Sequence, residues 1–498
     1  MCGIIAIIDE QPVAEWIYQS MIQLQHRGQD AAGIFTFDPK TGQHFLHKNR
    51  GLVNQVLTPQ TLPLSEASWG IGHVRYQTVG DGSINDTQPM VIGDNPTIAL
   101  GYNGNIVNYL PVKRELEAEG CKFHSNCDAE VILHILSSHI NSPDCTFDDI
   151  KQAVHEVYRK VSGAYSVVAT ITGVGMIAFR DPAGIRPLLY GTQKGSKGVG
   201  FASETYALIF CDFSNIENIC PGEVMFVDRD FNQHKERLIS KPPSYCSFEF
   251  NYFAKPNTVI EHQEVYHIRS TLGKTLARKV MQKEFDIDVV VPIPNSARPA
   301  AISLAREMNI PCEDGFVKQE YIGRTFIMPT QRLREKAIGR KLAPVFSVFQ
   351  GKNVILVDDS IVRGTVSKKV TMLAKSAGAK NIYFASTFPP IRHPCPYGID
   401  FANQDQLIAY DRQIDQIAEE IGVDGLVYNN IEEFKDVIGV KGVCMACVTG
   451  KYPTDTSGIE ELRAMRQKHL KQVENTTVSC YTPHDLKREF GQRESSRS

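Results

Sequence analysis

The chain has 498 residues, and 53 Lys and Arg side chains nearly balance 56 Asp and Glu, so the formal net charge is -3 at pH 7. At about 150 residues per domain, this length predicts roughly three domains or two large ones. The near-neutral charge argues against a protein that wraps nucleic acid or coats an anionic membrane, and 42% apolar with 22% charged residues excludes wholesale disorder.

The chain begins Met1-Cys2-Gly3, with no basic segment before its first apolar stretch, unlike a secretory signal. No apolar run approaches the ~18 residues of a membrane span. Twelve cysteines are far fewer than a disulfide scaffold contains. We therefore expect a cytoplasmic protein with reduced thiols, in which a cysteine cluster indicates a metal site or catalysis.

Short β-branched runs broken by glycine dominate the first half of the chain. Residues 69–75, 165–170 and 175–179 are predicted strands, and residues 129–138 are a predicted helix. The pattern pauses at residues 241–244, Lys-Pro-Pro-Ser, where we place a domain junction.

Predicted helices and strands alternate in the second half. The helices are residues 267–283, 300–308 and 367–377, and the strands are residues 288–294, 353–357 and 382–386. Alternation at this spacing predicts a parallel α/β sheet. One more amphipathic helix is predicted at residues 459–471.

The run 354–365 combines a buried strand, two adjacent carboxylates (Asp358 and Asp359) and a short loop with Gly364 before a helix. Free N–H groups at the helix start attract an anion, and the acids suit sugar hydroxyls or a hydrated divalent cation. Hydroxyl donors in or next to the run are Ser360, Thr365 and Ser367. A lone acidic pair could simply cap a helix, but the whole run indicates a site for a phosphorylated sugar.

This run resembles the phosphoribosyl pyrophosphate signature of type I phosphoribosyltransferases. The resemblance implies that Asp358 and Asp359 hold the ribose hydroxyls and that the loop from Ser360 to Thr365, with Arg363 and Gly364, holds the 5-phosphate. The polar, basic segment 318–341, with Arg324 and Lys341, is either a solvated surface loop or a loop that closes over the pyrophosphate leaving group.

Cys2 directly follows the initiator methionine, and a small second residue normally allows Met1 to be removed. The thiol of a terminal cysteine sits beside its own α-amino group, whose ordinary pKa of about 7.7–8.0 lets it act as a general base. On its own, this residue could equally be an incidental cysteine.

Four further runs share the order and spacing of the class II glutamine amidotransferases: residues 25–33, 72–76, 103–105 and 128–130. The resemblance implies that Cys2 attacks the side-chain amide of glutamine, while the Asn103 side chain and the Gly104 N–H form the oxyanion hole. It further implies a glutamine-binding set in which Arg75 takes the carboxylate, Asp128 takes the α-amino group and Arg27 helps to fix the N-terminal residue.

From Cys2 to about Pro453 the chain resembles the amidophosphoribosyltransferase family, with further matching runs at residues 179–182, 184–187, 252–254 and 323–327. The implied fold is of the α/β and α+β classes: an N-terminal-nucleophile αββα sandwich in residues 2–243, then a type I phosphoribosyltransferase parallel-sheet domain in residues 244–453. A C-terminal helix and tail would occupy residues 454–498.

In the implied reaction, ammonia from glutamine passes internally to phosphoribosyl pyrophosphate and displaces pyrophosphate, giving 5-phosphoribosylamine and glutamate in the first committed step of purine synthesis. The family further implies Mg²⁺ held by Ser296, Asp358 and Asp359, a homotetramer, and inhibition by purine nucleotides. Three residues depart from the family pattern: Tyr102 replaces His, Gln77 replaces Pro or a small residue, and Glu320 places an anion where the family has a cation.

Cys444 and Cys447 form a C-x2-C pair, whose spacing alone leaves iron–sulfur, zinc, redox and purely structural readings open. With Cys246 and Cys395 they match the branch of the family that carries a [4Fe–4S] cluster, and that resemblance favours the cluster over zinc. The remaining cysteines are predicted to be ordinary buried or surface thiols: Cys121, Cys127, Cys145, Cys211, Cys220, Cys312 and Cys480.

Three other protein classes share part of these features. A glucosamine-6-phosphate synthase would lack the Asp358-Asp359 run, and an asparagine synthetase would need an ATP-binding pyrophosphatase motif that we do not find. A regulator that senses phosphoribosyl pyrophosphate would carry a nucleic-acid-binding element, and neither a basic stripe nor a winged-helix pattern is present.

Overall fold

The computed structural model describes residues 1–62, 66–77, 80, 82–318, 342–399, 401 and 404–465. The predicted site residues Arg324 and Lys341, the variant position Glu320 and the end of the predicted 459–471 helix lie outside the described residues. Within the described ranges, no helix combines the length and hydrophobicity needed to cross a bilayer.

The first part of the chain forms two antiparallel sheets that lie face to face. Its strands are β1 (Gly3–Ile8), β2 (Ala31–Asp38), β3 (Gln43–Arg50), β4 (Trp69–Arg75), β5 (Met90–Ile92), β6 (Ile98–Ile106), β7 (Gly163–Ile171), β8 (Gly175–Arg180), β9 (Leu189–Gln193), β10 (Val199–Ala202), β11 (Phe213–Asn218), β12 (Glu223–Asp228) and β13 (Gln233–Arg237). One sheet has the order β11-β9-β10-β1-β4-β2-β3 and the other β13-β12-β8-β7-β6-β5.

Helices cover both outer faces of this sandwich. They are α1 (Ala14–Leu24), α2 (Val53–Val56), α3 (Tyr109–Ala118), α4 (Ala129–His139), α5 (Phe147–Lys160) and α6 (Thr205–Ile209). Alternation along β1 sends Ile4 and Ala6 into the core between the sheets, and Ile5 and Ile7 toward α1 and α6. Helices α3, α4 and α5 pack on the outer face of the second sheet. The predicted αββα sandwich is therefore confirmed.

Short elements connect the sandwich to the second sheet. They are β14 (Tyr245–Cys246), a π-helical turn (Glu249–Phe253), β15 (Val259–Ile260), β16 (Gln263–Glu264) and the long helix α7 (Val265–Met281). Strand β14 pairs in parallel with a strand from near the C-terminus, β23 (Val443–Cys444), so distant parts of the chain meet beside the sandwich.

The predicted parallel sheet is also confirmed. Its elements and neighbours are β17 (Val289–Pro292), α8 (Arg298–Met308), β18 (Phe316–Lys318), β19 (Leu342–Pro344), α9 (Phe346–Phe349), β20 (Asn353–Asp358), α10 (Thr365–Ser376), β21 (Asn381–Ser386), α11 (Ile414–Ile421), β22 (Gly425–Tyr428), α12 (Ile431–Ile438) and α13 (Ala446–Thr449). The order is β17-β20-β21-β22, with every pair parallel. Strand β20 is buried on both faces, as is typical of a central parallel strand. Asp358 is its last residue and therefore lies at the carboxyl end of the sheet, where ligands bind in such folds.

Candidate active sites

Residue 2 lies at the start of β1, against β6 of the facing sheet. The Cys2 backbone N–H donates to Asn103 Oδ1 at 3.0 Å, and the Cys2 thiol faces the Tyr76 carbonyl at 3.7 Å. Asn103 is fully buried, and its Nδ2 has no hydrogen-bond partner in the described structure. A buried amide donor left without a partner costs free energy, so this N–H group is available for an oxygen that develops negative charge beside Cys2.

Gly104 is required at its position by close packing of the strands. A Cβ on this residue would lie 2.1 Å from the Ala164 carbonyl oxygen on β7. Any larger residue would push β6 away from β7 and move Asn103 with it.

The α-amino group of Met1 is buried next to Cys2, where its charged form is unfavourable. Burial lowers the pKa of its α-amino group to about 5, opposed by the nearby Cys2 thiol and assisted by Arg186 and Arg27. An ammonium group is costly to bury, so this terminus is held in its neutral state. Removal of Met1 would leave the Cys2 nitrogen, as a free amine, beside Asn103 Oδ1.

The Arg27 side chain fixes residue 2 from the other side. Its Nε donates to the Cys2 carbonyl oxygen at 2.9 Å, and its two terminal nitrogens pair with Glu204 and Glu249 at 2.7 Å each. The guanidinium is fully buried, as are both carboxylates. Arg27 therefore faces the backbone of Cys2 and not an open pocket.

Arg75 and Asp128 approach the same site from the ends of β4 and α4. Arg75 donates to the Asp86 carbonyl oxygen and to the Cys127 sulfur, the latter at 3.2 Å. The Cys127 thiol lies 3.8 Å from Asp128 Oδ1, so it bridges the two residues. Burial raises the pKa of Cys127 to about 12, which keeps this thiol neutral beside Arg75. No sequence pattern predicted that Cys127 lies in this site.

Tyr102, which replaces the usual His, contacts Asp128 directly. Its hydroxyl donates to Asp128 Oδ2 at 2.8 Å, and the Ile106 N–H donates to the same oxygen at 2.8 Å. Burial raises the pKa of Tyr102 well above its usual value, so the hydroxyl remains a donor. The second variant position, Gln77, donates its backbone N–H to the Asp30 carboxylate at 2.9 Å.

A second polar site lies at the carboxyl end of β20. Asp358 and Asp359 are buried, and Asp359 accepts hydrogen bonds from the hydroxyls of Ser296 and Ser360, the latter at 2.7 Å. Burial and the neighbouring carboxyl raise the pKa of Asp358, and burial raises that of Asp359 against the two serine hydrogen bonds. A divalent cation would offset the cost of ionising both groups.

The loop after this pair has the geometry of an anion site. Gly364 adopts φ of 72° immediately before α10, and a Cβ there would lie 2.3 Å from Ile408 Cδ1, so glycine is required. Thr365 begins the helix, whose first N–H groups face the loop. Arg363 is exposed and contacts Gln406 at 3.2 Å, and Ser367 is buried on the helix.

The four cysteines predicted to act together line one small cavity. Cys246 and Cys444 lie side by side on β14 and β23, with Cys447 on α13 and Cys395 in the loop after β21. Burial raises the pKa of Cys444 to about 12, and the Cys246 thiol adds to the effect. Within the described ranges, no three His, Cys, Asp or Glu side chains lie close enough to share a single metal ion.

Sequence reasoning missed the buried residues that connect these sites. Glu249 pairs with Arg27, and Asn251, two residues later on the same π-helical turn, donates to the Asp359 carbonyl oxygen at 3.0 Å. Arg186 approaches Glu249 to 3.7 Å. The runs 184–187 and 252–254 matched the family, but nothing in their residue types indicates these contacts.

Two protein families match the chain. Residues 73–210 match the glutamine amidotransferase domain family, and residues 263–398 match the phosphoribosyl transferase domain family. The first match contains Arg75, Asn103 and Asp128, and the second contains Asp358 and Asp359.

Relatives match over nearly their full length. The chain is 39% identical to the amidophosphoribosyltransferase of Haemophilus influenzae, over 96% of this chain and 99% of the relative, and 38% identical to that of Schizosaccharomyces pombe, over 98% and 97%. Among solved structures, it resembles the glutamine phosphoribosylpyrophosphate amidotransferase from B. subtilis complexed with ADP and GMP, with a TM-score of 0.82, 36% identity and coverage of 91% and 98%. A structure described as the allosteric regulatory enzyme of purine biosynthesis matches with a TM-score of 0.82, 36% identity and coverage of 91% and 97%.

Proposed function

This chain belongs to the amidophosphoribosyltransferase family, and we propose that its two polar sites divide that family's reaction between Cys2 and the Asp358–Asp359 pair. The protein is a glutamine-dependent pentosyltransferase of purine biosynthesis. It transfers the amide nitrogen of glutamine to phosphoribosyl pyrophosphate and forms 5-phosphoribosylamine, glutamate and pyrophosphate.

In the glutaminase site, Cys2 is the nucleophile and its own amine, freed by removal of Met1, is the base. Asn103 Nδ2 and the Gly104 N–H stabilise the tetrahedral oxyanion. The buried, unpartnered Asn103 Nδ2 is the observation that carries this assignment, because it leaves a donor unused beside Cys2.

Arg75 and Asp128 bind the carboxylate and α-amino groups of glutamine. Tyr102 and Cys127 both contact the Asp128 carboxylate and orient it toward the α-amino group of glutamine. Because the Arg27 guanidinium is occupied by Cys2, Glu204 and Glu249, Arg27 is a positioning residue and not a glutamine ligand.

In the second site, Asp358 and Asp359 hold the ribose hydroxyls, and the N–H groups at the start of α10 hold the 5-phosphate. The phosphate contacts that we propose are Ser360, Arg363, Gly364 and Thr365. Ser296 with the acidic pair would hold Mg²⁺, which neutralises pyrophosphate charge when bound. Arg324 and Lys341 are proposed pyrophosphate contacts on sequence grounds alone, since both lie outside the described residues.

The cysteine cavity would hold a [4Fe–4S] cluster, with Cys246, Cys395, Cys444 and Cys447 each binding a different iron. The burial of all four thiols around one cavity supports a shared metal group, and the family's cysteine pattern favours iron–sulfur over zinc. The cluster would link the junction, the second sheet and the C-terminal segment without taking part in the reaction.

We place the glutaminase domain in residues 2–243, the phosphoribosyltransferase domain in residues 244–453 and a C-terminal helix and tail in residues 454–498. A homotetramer inhibited by purine nucleotides is also part of the proposal. The complex of the B. subtilis relative with ADP and GMP supports nucleotide binding. A cytoplasmic location is included because every cysteine in the described ranges is a free thiol.

One assay tests whether the two sites carry separate steps. Pyrophosphate release from phosphoribosyl pyrophosphate is measured with glutamine and, in parallel, with ammonium chloride as the nitrogen source. We expect both nitrogen sources to work, and a diazoketone analogue of glutamine to abolish only the glutamine reaction. Binding of phosphoribosyl pyrophosphate without turnover from either source would instead identify a regulator that has lost catalysis.

A further inference from the structure

The loop that carries Cys395 lies directly against the strand that carries Asn103 and Gly104. The Asn105 side chain donates to the Pro396 carbonyl oxygen at 2.7 Å. A Cβ on Gly398 would lie 3.2 Å from the Gly104 carbonyl oxygen. The Cys395 loop therefore packs directly on the strand that supplies the proposed oxyanion donors.

Arg186 is buried between the cysteine cavity and the residue-2 site. Its Nη2 donates to the Tyr397 carbonyl oxygen within the Cys395 loop. Its backbone carbonyl accepts from the Ser166 hydroxyl at 3.1 Å, and Ser166 is the strand partner of Asn103. Arg186 Nε and Nη1 have no hydrogen-bond partner in the described structure, although the side chain is 0% exposed.

The other edge of this guanidinium faces the carboxylate that anchors Arg27. Arg186 Nη1 lies 3.7 Å from Glu249 Oε1, the same oxygen that pairs with Arg27 at 2.7 Å. Arg27 in turn donates to the Cys2 carbonyl oxygen. A continuous buried path therefore runs from the Cys395 loop through Arg186, Glu249 and Arg27 to residue 2.

We propose that Arg186 is a positioning residue that ties the cysteine-lined cavity to the glutaminase site, a role that rests on the proposed [4Fe–4S] cluster. The two terminal nitrogens of its guanidinium support the Cys395 loop and Glu249 together. Without the Arg186 guanidinium, residue 2 and the strand that carries Asn103 lose part of their support. The Asp358–Asp359 site keeps its own contacts.

The test compares Arg186→Met with Arg180→Met in protein purified without oxygen. Arg180 is an equally buried arginine, 1% exposed, whose side chain pairs with Ile219, Gly184 and Glu261 and not with the Cys395 loop or Glu249. We expect Arg186→Met to lower glutamine-dependent kcat roughly tenfold or more, because small displacements at a reacting centre are costly. Ammonia-dependent kcat should stay within about twofold, and Arg180→Met should lower both rates equally.

Iron retention supplies a readout that is independent of activity. Because partners outside the ligand set typically change metal affinity 10–100-fold, we expect a chelator under argon to remove iron about tenfold faster from Arg186→Met. Arg186→Lys keeps the positive charge but lacks the planar guanidinium with its two terminal nitrogens. It should therefore retain iron better than Arg186→Met and still be defective with glutamine.

Equal behaviour of Arg186→Met and Arg180→Met in both readouts would overturn the positioning role. If neither Met variant folds, Arg186→Lys and Arg180→Lys decide by the same comparison. Wild-type protein that contains no iron would instead refute the cluster assignment itself, and with it the link proposed for Arg186.

Discussion

Asn103→Asp isolates the donor of the proposed oxyanion hole. Asp has the shape of Asn and keeps an oxygen to accept from the Cys2 nitrogen, as Asn103 Oδ1 does at 3.0 Å. It replaces Nδ2, the buried donor without a partner, by a second oxygen. The substitution therefore removes one hydrogen bond that forms only when negative charge develops on the substrate.

The expected loss follows from that single interaction. Removing one oxyanion donor costs about 10²–10³ in kcat, or roughly 2.7–4 kcal/mol. An ionised carboxylate would also repel the oxyanion, so we expect the fall in glutamine-dependent kcat to lie at the upper end of this range. The KM for glutamine should change by less than about threefold, because Arg75 and Asp128 are untouched.

Glutamate release and ammonia-dependent pyrophosphate release are measured on the same preparation. Thr170→Val on β7 is the matched control, since Thr170 is also fully buried with an unpartnered hydroxyl but belongs to neither site. The control should keep both activities. Glutamine-dependent kcat within about threefold of wild type in a folded Asn103→Asp protein would refute the assignment of Nδ2.

Four further predictions follow from the same sites. Cys2→Ser should abolish glutamine-dependent synthesis and leave ammonia-dependent synthesis largely intact; near wild-type glutamine hydrolysis would show that the nucleophile lies elsewhere. Asp358→Asn with Asp359→Asn should weaken phosphoribosyl pyrophosphate binding at least about tenfold in calorimetry, from two lost charge-assisted bonds of roughly 1.5–3 kcal/mol each. Because the pKa of both carboxyls is raised, wild-type binding of Mg²⁺ with this substrate should release protons and weaken as pH falls, and no dependence of the binding heat on buffer would contradict this. Cys444→Ser should lower iron content and the thermal midpoint more than it changes substrate KM; colourless, fully active wild-type protein with one zinc per chain would contradict the cluster.

Local pattern predicted the regular elements well. The predicted helices at 129–138 and 300–308 correspond to α4 and α8, and the strand at 353–357 corresponds to β20 with one more residue. Helices and strands of this kind follow from local signals: the spacing of apolar residues, and glycine or proline at the ends of each segment. These signals can be read directly from the sequence. Helix α10 begins at Thr365, two residues before the predicted start, because Gly364 rather than a polar cap ends the loop.

The candidate site residues were predictable where a motif joins several of them. Asp358, Asp359 and Gly364 occupy one short run, and the structure brings Ser296 to them from the end of β17. Cys127 offered no such signal, because only the fold brings its thiol against Arg75. Contacts between residues far apart in sequence depend on sheet packing, which short-range pattern does not encode.

Buried charged residues were the least predictable. Glu204 and Glu249 lie 177 and 222 residues after Arg27, yet the three side chains form one ion-paired group with distances of 2.7 Å. In a sequence, each resembles a solvated surface charge, since such residues are rarely fully buried unless paired. Their burial next to Cys2 is visible only once both halves of the chain are packed.

The π-helical turn at Glu249–Phe253 contacts both candidate sites. Glu249 holds Arg27 and thereby the Cys2 carbonyl, while Asn251 holds the Asp359 carbonyl and the Thr387 hydroxyl, the latter at 2.9 Å. Both residues are buried, so solvent does not compete for these hydrogen bonds. Because two residues of one turn fix the backbone on each side, a shift of one site relative to the other must break a buried polar contact. The π-helical turn therefore holds the residue-2 site and the Asp359 site in a fixed position relative to each other.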